Sequence, residues 1–181
     1  YLNRHLGLPS NEVRAILLAS DNSVWYATAQ GVVQQTPDGK LSHFNEQNGL
    51  PAHFSMGLAE DREGRIWIAT GIGLAYIQQG IVHVVSFPEH SDAQHAFSFS
   101  VVEKGTWITT DRGLAYFDNA TQALSVIEKS QGLPVDKLFS IGIDHNSGVW
   151  LSSNQGVILT SLSSLKECLT HPSALLEFEH F

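Results

Sequence analysis

The side chains that could do chemistry in this 181-residue chain are nine histidines, eighteen acids, ten lysines and arginines and one cysteine. Their spacing excludes several chemistries. There is no HExxH helix to hold zinc, no GxSxG elbow to present a serine and no Walker loop to cradle phosphates. Thr70-Gly71-Ile72-Gly73 looks like part of a dinucleotide fingerprint but lacks the third glycine and a following helix. His90, Asp92 and His95 could chelate a metal, yet their spacing is not one of the specific ligand patterns. Asp61-Arg62-Glu63-Gly64 and Asp144-His145-Asn146-Ser147-Gly148 are acidic, Gly-bearing segments too short for a calcium loop, and read as hairpin turns. Cys168 can form neither an internal disulfide nor a cysteine cage. The expectation is therefore no catalytic residue, no metal and no cofactor.

What positions the remaining polar residues is an internal repeat. Trp25, Trp67, Trp107 and Trp150 stand 42, 40 and 43 residues apart, and each is followed six residues later by a glycine: Gly31, Gly73, Gly113 and Gly156. Gly7-Leu8-Pro9, Gly49-Leu50-Pro51 and Gly132-Leu133-Pro134 each begin 18 residues before their Trp. The third unit is irregular: it reads Phe87-Pro88-Glu89-His90-Ser91-Asp92 instead, and the turn before Trp107 shortens to Glu103-Lys104-Gly105.

The apolar runs have the short period of strands. In the first unit they are Val13 to Ala19, Val24 to Thr28, Val32 to Gln35 and Leu41 to Phe44, separated by Asp21-Asn22, Gly31 and the hairpin signal Asp38-Gly39. Later units repeat the scheme, ending in a run from Leu175 to Phe178, and the only helix candidate is Ser161 to Leu169, stopped by Pro172. Four strands per unit of about 42 residues predict an all-β chain of four-stranded antiparallel β-propeller blades. The blades fall at about 7–48, 49–88, 89–131 and 132–181, with a helical insertion at about 161–170.

In such a blade the Trp can pack between neighbouring blades and the glycine serves the turn into the third strand. The column Thr28, Thr70, Thr110 and Ser153 could bond to backbone at each turn or form a row of ligand contacts. Binding positions are better sought where blades differ. Asn11, His53 and Asp136 lie four residues after each Gly-Leu-Pro glycine, and His95 falls in the same column. With Arg14, and with His90 and Asp92 nearby, they are candidates to ring one mouth of a channel; the competing reading is solvated loop residues.

The net charge of -8 and pI near 5.5 leave no basic field for nucleic acid. Mean hydropathy of -0.04 is ordinary, and no apolar run approaches the roughly 18 residues of a membrane span. No leader is visible, although the chain opens at Tyr1 inside a repeat unit, where Tyr1-Leu2-Asn3 aligns with His43-Phe44-Asn45. The expectation is an outer strand of a preceding blade, with four blades that belong to a larger propeller, close on themselves or associate as copies.

Gly49-Leu50-Pro51, then Asp61-Arg62-Glu63-Gly64-Arg65-Ile66-Trp67-Ile68-Ala69-Thr70, then Gly73-Leu74, resembles the two-component regulator propeller repeat over nearly all of residues 7–160. Units two and four resemble it most. Unit one has Asp21-Asn22-Ser23 in place of the Asp-x-x-Gly turn, and unit three lacks Gly-Leu-Pro. The resemblance implies seven-bladed propellers in the periplasmic or extracellular sensor region of a hybrid two-component histidine kinase or diguanylate cyclase receptor. Relatives in gut bacteria sense oligosaccharides. It implies a non-catalytic segment that binds a small molecule or oligosaccharide and meets the membrane only through other parts of the receptor; it supplies no binding residue. The alternative is a scaffold for protein–protein interaction or receptor dimerisation. A third reading, a propeller lyase or hydrolase, is hinted at only by Arg14, His53, His95 and Asp136.

Overall fold

The strand runs and turn glycines form four separate four-stranded antiparallel sheets in a computed structural model that describes residues 3–181. Blade 1 comprises β1 (Val13–Leu18), β2 (Val24–Thr28), β3 (Gly31–Gln35) and β4 (Leu41–Phe44). Blade 2 comprises β5 (Ser55–Glu60), β6 (Ile66–Thr70), β7 (Leu74–Gln78) and β8 (Ile81–Val85). Blade 3 follows with β9 (Ala96–Val102), β10 (Gly105–Thr110), β11 (Gly113–Asp118) and β12 (Leu124–Ile127). Blade 4 contains β13 (Leu138–Ile143), β14 (Gly148–Ser153), β15 (Gly156–Ser161) and β16 (Phe178–His180), with α1 (Leu162–Thr170) between its last two strands. Consecutive strands are neighbours in every sheet, and short turns connect them within each blade except between β15 and β16, which α1 separates. Ser161 caps α1 by accepting from the Ser164 N–H at 3.1 Å.

Two local features differ from the sequence expectation. The final strand begins at Phe178 rather than Leu175, because Leu176 is drawn into the core and its N–H donates to the Gln131 carbonyl at 2.8 Å. Three short 3-10 helices, Arg4–Leu6, Glu46–Asn48 and Lys129–Gln131, precede the Gly-Leu-Pro segments. Three residues are too few to show a helical period. Their signal is the left-handed glycine that ends each one, with φ of 110°, 100° and 89° at Gly7, Gly49 and Gly132, after which Leu8, Leu50 and Leu133 turn inward. Tyr1 and Leu2, assigned by alignment to an outer strand, lie outside the described residues.

The chain divides into two compact units, Tyr1–Ser86 with blades 1 and 2, and Phe87–Phe181 with blades 3 and 4. In the first, Trp25 and Phe44 of blade 1 share a core with Ile66, Ile68, Ala75 and Ile77 of blade 2. In the second, Trp107, Leu114 and Ile127 of blade 3 share one with Val149, Leu151 and Ile158 of blade 4 and with Leu165 and Cys168 of α1. The indole-bearing face of one blade thus meets an aliphatic face of the next. Trp25, Trp67 and Trp107 are buried, as expected of packing aromatics, but Trp150 is 42% exposed and stacks on Phe181 at 6.4 Å between centroids. Its face of blade 4 is uncovered within its unit.

The acidic turns have a structural task. In blade 2, Asp61 Oδ1 accepts the N–H groups of Glu63 and Arg65 at 2.9 and 3.0 Å, while Oδ2 accepts from Arg65 Nε at 2.6 Å and from the Trp67 indole at 2.8 Å. One carboxylate therefore closes the turn, neutralises a buried guanidinium and fixes the indole of the second strand. Asp144 serves Asn146, Gly148 and Trp150 in the same way, at 2.8, 2.8 and 3.1 Å. Blade 1 uses a relay, Trp25 donating to Ser23 Oγ at 3.0 Å and Ser23 to Asp21 at 2.6 Å. Blade 3, whose turn is shortened, has no such aspartate, and the buried Trp107 Nε1 has no hydrogen-bond partner among the described residues.

Trp67→Phe should therefore destabilise by about 1.5–3 kcal/mol more than Trp107→Phe, since only the former removes a hydrogen bond to a charged group. Urea unfolding of both variants checks this, and equal losses would refute the assignment. The Trp150 indole, followed by the Gly148 N–H, holds the Asp144 carboxyl below the ordinary aspartate range. A lowered folded-state value stabilises above the unfolded-state value, and that contribution is lost as pH falls below about 4. NMR titration should place the Asp144 midpoint below that of a model aspartate, and Trp150→Phe should raise it.

Candidate functional site

The hairpin after each Trp is fixed by the hydroxyl column. Thr28 donates to the Gly31 carbonyl at 2.8 Å, Thr110 to Gly113 at 2.8 Å and Ser153 to Gly156 at 2.9 Å, while Thr70 reaches Ile72 at 2.7 Å and Gly73 at 3.2 Å. In three of these turns the same oxygen accepts an N–H from the hairpin: from Gln30, Arg112 and Gln155, at 3.1, 3.1 and 3.0 Å. Of the two roles open to this column, turn closure is what its hydroxyls perform. The glycines that follow are in the left-handed region, Gly113 and Gly156 both at φ 124°, and a Cβ there would collide with the carbonyls of Ile127 and Phe181.

Between hydroxyl and glycine two residues are left free to vary: Ala29-Gln30, Gly71-Ile72, Asp111-Arg112 and Asn154-Gln155. In blades 1 to 3 the loop leading into the first strand lies beside this tip: Ala29 N–H donates to Glu12 at 3.1 Å, Gly71 to Phe54 at 2.7 Å and Asp111 to His95 at 3.1 Å. The loop before the first strand of blade 4 is held instead by the hairpin of blade 3, Gly113 N–H donating to Asp136 at 2.8 Å. Sequence-variable positions from two segments therefore converge at the same end of these blades.

In the second unit they enclose a cavity of about 400 Å³ lined by His95, Asp111, Arg112, Asp136, Lys137, Asn154 and Gln155. Asp111 Oδ1 accepts the backbone N–H groups of Gln94 and His95, both at 2.9 Å. Asp136 has a short contact with Lys129 at 2.7 Å and a long one with Arg112 at 3.7 Å. Lys137 lies 5.6 and 5.5 Å from the ring centroids of Phe97 and Phe139, which meet edge to face at 5.9 Å.

The other candidates lie in the first unit. Asn11 Oδ1 accepts from the Arg4 N–H at 2.9 Å, and exposed His53 is 3.6 Å from Glu46. Arg14 pairs with Glu12 and stacks its guanidinium over Phe54 at 3.9 Å. The structure thus brings His95 and Asp136 into one cavity, whereas Asn11, Arg14 and His53 are occupied in local contacts; His90 and Asp92 do not line that cavity. Asp111, Arg112, Lys137, Asn154 and Gln155 were not selected from sequence, although the hairpin residues stand four and five places after each Trp and could be found by that offset. Among the described residues no three His, Cys, Asp or Glu side chains gather as a metal group, and no helix is long and apolar enough to cross a membrane.

Residues 49–71 match the family model of the two component regulator propeller, so blade 2 carries that repeat. Among solved structures, the chain is similar to the extracellular domain described for one hybrid two component system of B. thetaiotaomicron, with TM-score 0.81 and 22% identity over 95% of this chain and 24% of that one. A second such domain from the same organism gives TM-score 0.74 and 20% identity over 96% and 22%. Virginiamycin B lyase from Staphylococcus aureus gives 0.72 and 16% over 97% and 57%. The chain spans about a quarter of the length of the two extracellular domains. These likenesses establish the fold as that of β-propeller blades. No curated protein matches the sequence.

Gly113→Ala should cost more than about 1 kcal/mol, because a side chain at that φ is strained and its Cβ meets the Ile127 carbonyl. Amide exchange should quicken at Asp111 and Arg112 in the variant; unchanged stability and exchange would mean that the glycine does not hold the tip.

Proposed function

We propose that this chain is a ligand-sensing, non-catalytic segment of the extracytoplasmic region of a membrane-bound bacterial signalling receptor. Its ligand, a small molecule or oligosaccharide, is read at the polar cavity of the second unit, with His95 and Asp136 among its contacts. The observation that carries this reading is the division within each blade: the hydroxyl, glycine and Trp columns fix the hairpin, and the residues that differ between blades line a cavity of ligand size. The regulator-propeller repeat at 49–71 and the likeness to extracellular domains of hybrid two component systems support the receptor setting. The lyase likeness bears on fold alone. Asp111 is engaged by backbone N–H groups and Asp136 by Lys129, arrangements that favour holding a ligand over moving a proton.

A second reading, docking of another protein or of a second copy, is favoured by the uncovered indole face of blade 4, where Trp150 and Phe181 are exposed. Trp25 and Trp107 occupy the corresponding faces of their blades and are covered by an aliphatic sheet face, which defines the kind of surface that fits there.

A thermal-shift screen against oligosaccharides, amino acids, peptides and divalent metals, with oligomeric state recorded alongside, decides between them. A ligand at a hundred times its Kd stabilises by about 2.7 kcal/mol, a shift of several degrees for a domain of this size. Silence across the panel, together with concentration-dependent assembly that Trp150→Ser abolishes, would overturn sensing in favour of docking.

A further inference from the structure

The cavity of the second unit has a charge pattern unlike that of the chain around it. The protein carries a net charge of -8, yet this cavity is lined by Arg112 and Lys137 as well as Asp111 and Asp136, with Lys129 paired to Asp136 beside it. The two acids are engaged by groups of the protein itself. Asp111 Oδ1 receives two backbone N–H donors, and Asp136 makes its short ion pair with Lys129 at 2.7 Å. The cations are not held to the same degree: Arg112 reaches Asp136 only at 3.7 Å, beyond hydrogen-bond range, and its side chain is half exposed. Lys137 rests over the Phe97 and Phe139 rings, a contact that leaves its three N–H donors available. Asn154 and Gln155 supply further amides from the neighbouring hairpin tip.

Resting on the sensing role proposed above, we infer that this site selects a small hydrophilic carboxylate, a sugar acid or an amino acid, with Arg112 as its anchoring residue. A planar guanidinium presents paired donors that match a carboxylate, and here it can turn to a ligand without stripping Asp136 of its partner. Lys137 adds charge from blade 4, so a bound carboxylate spans the tips of blades 3 and 4. The corresponding tips of the first unit, Ala29-Gln30 and Gly71-Ile72, carry no charge, so this chemistry belongs to the second unit alone.

Isothermal titration of the 181-residue protein with D-glucuronate, with its neutral counterpart D-glucose and with L-glutamate tests the inference. At least one carboxylate should bind, D-glucose at least tenfold more weakly than D-glucuronate where the sugar acid is the one bound, with affinity falling as salt rises. Glucuronate against glutamate distinguishes the two sources of the carboxylate. Arg112→Gln should weaken carboxylate binding at least tenfold, whereas Arg62→Gln on the exposed turn of blade 2 should leave it unchanged; circular dichroism confirms that both variants fold. Equal binding of glucose and glucuronate, indifference to Arg112→Gln, or no carboxylate binding would overturn the inference. If the carboxylates fail to bind while another ligand of the thermal-shift panel does, the sensing role stands and only the carboxylate assignment falls; if that panel is silent as well and the protein assembles through Trp150, both fall.

Discussion

A four-stranded sheet of three- to seven-residue strands has two faces and no means of burying either alone; everything else in this molecule follows from how neighbouring sheets cover each other. Each large side chain taken out of water contributes about 1.5–3 kcal/mol, so a shared core such as Trp25 and Phe44 with Ile66, Ile68 and Ile77 outweighs anything one blade could gain by itself. Pairing requires one face to be bulky and the other shallow and aliphatic. The repeat encodes that asymmetry by placing an indole on the second strand and β-branched or Leu residues one position to either side, as in Ile66-Trp67-Ile68 and Val149-Trp150-Leu151. The same asymmetry explains why Trp150 is exposed: its chemistry matches the other Trp positions, but within its unit no sheet lies against it.

An indole used in this way brings a polar N–H into the core, and an unpaired buried donor costs about 1–3 kcal/mol. The Asp of the preceding turn answers this at Asp61, and Ser23 relays to Asp21 in blade 1; Asp144 makes the same bond to the exposed Trp150. One carboxylate therefore couples turn closure to the orientation of the next strand, a reason for acid and Trp to lie six residues apart in two blades. Blade 3 has the Trp without the acid, and its Nε1 has no partner among the described residues.

Much of the fold was legible because it is written in residue types with single physical roles. Trp and Gly recurring at a fixed offset marked every blade, and the strands Val24–Thr28 and Leu41–Phe44 have the bounds their apolar runs suggested. The 3-10 helices escaped because three residues carry no periodicity, and the start of β16 was displaced because Leu176 serves the core and not the ladder. The candidate site was legible only in part. Asp136 was reached by counting from a glycine and His95 by aligning the shortened third unit to the same column, but that Asp111, Arg112, Lys137, Asn154 and Gln155 share one cavity with them follows from hairpin and blade-to-blade geometry.

That convergence has a physical cause. A hairpin closed by its own Thr or Ser hydroxyl and by a glycine that other residues replace only with strain needs nothing from the two side chains at its tip, so those positions can change without unfolding the blade. Stability resides in the columns that repeat and chemistry in the positions that do not. In the first unit the variable positions form contacts that complete themselves, Arg14 over Phe54 beside Glu12 and Asn11 capping the Arg4 N–H. In the second, the acids are satisfied from within while Arg112 and Lys137 face a cavity. Where a fold leaves cationic donors incompletely engaged beside a solvent-filled space, the free energy withheld from folding remains available for a ligand.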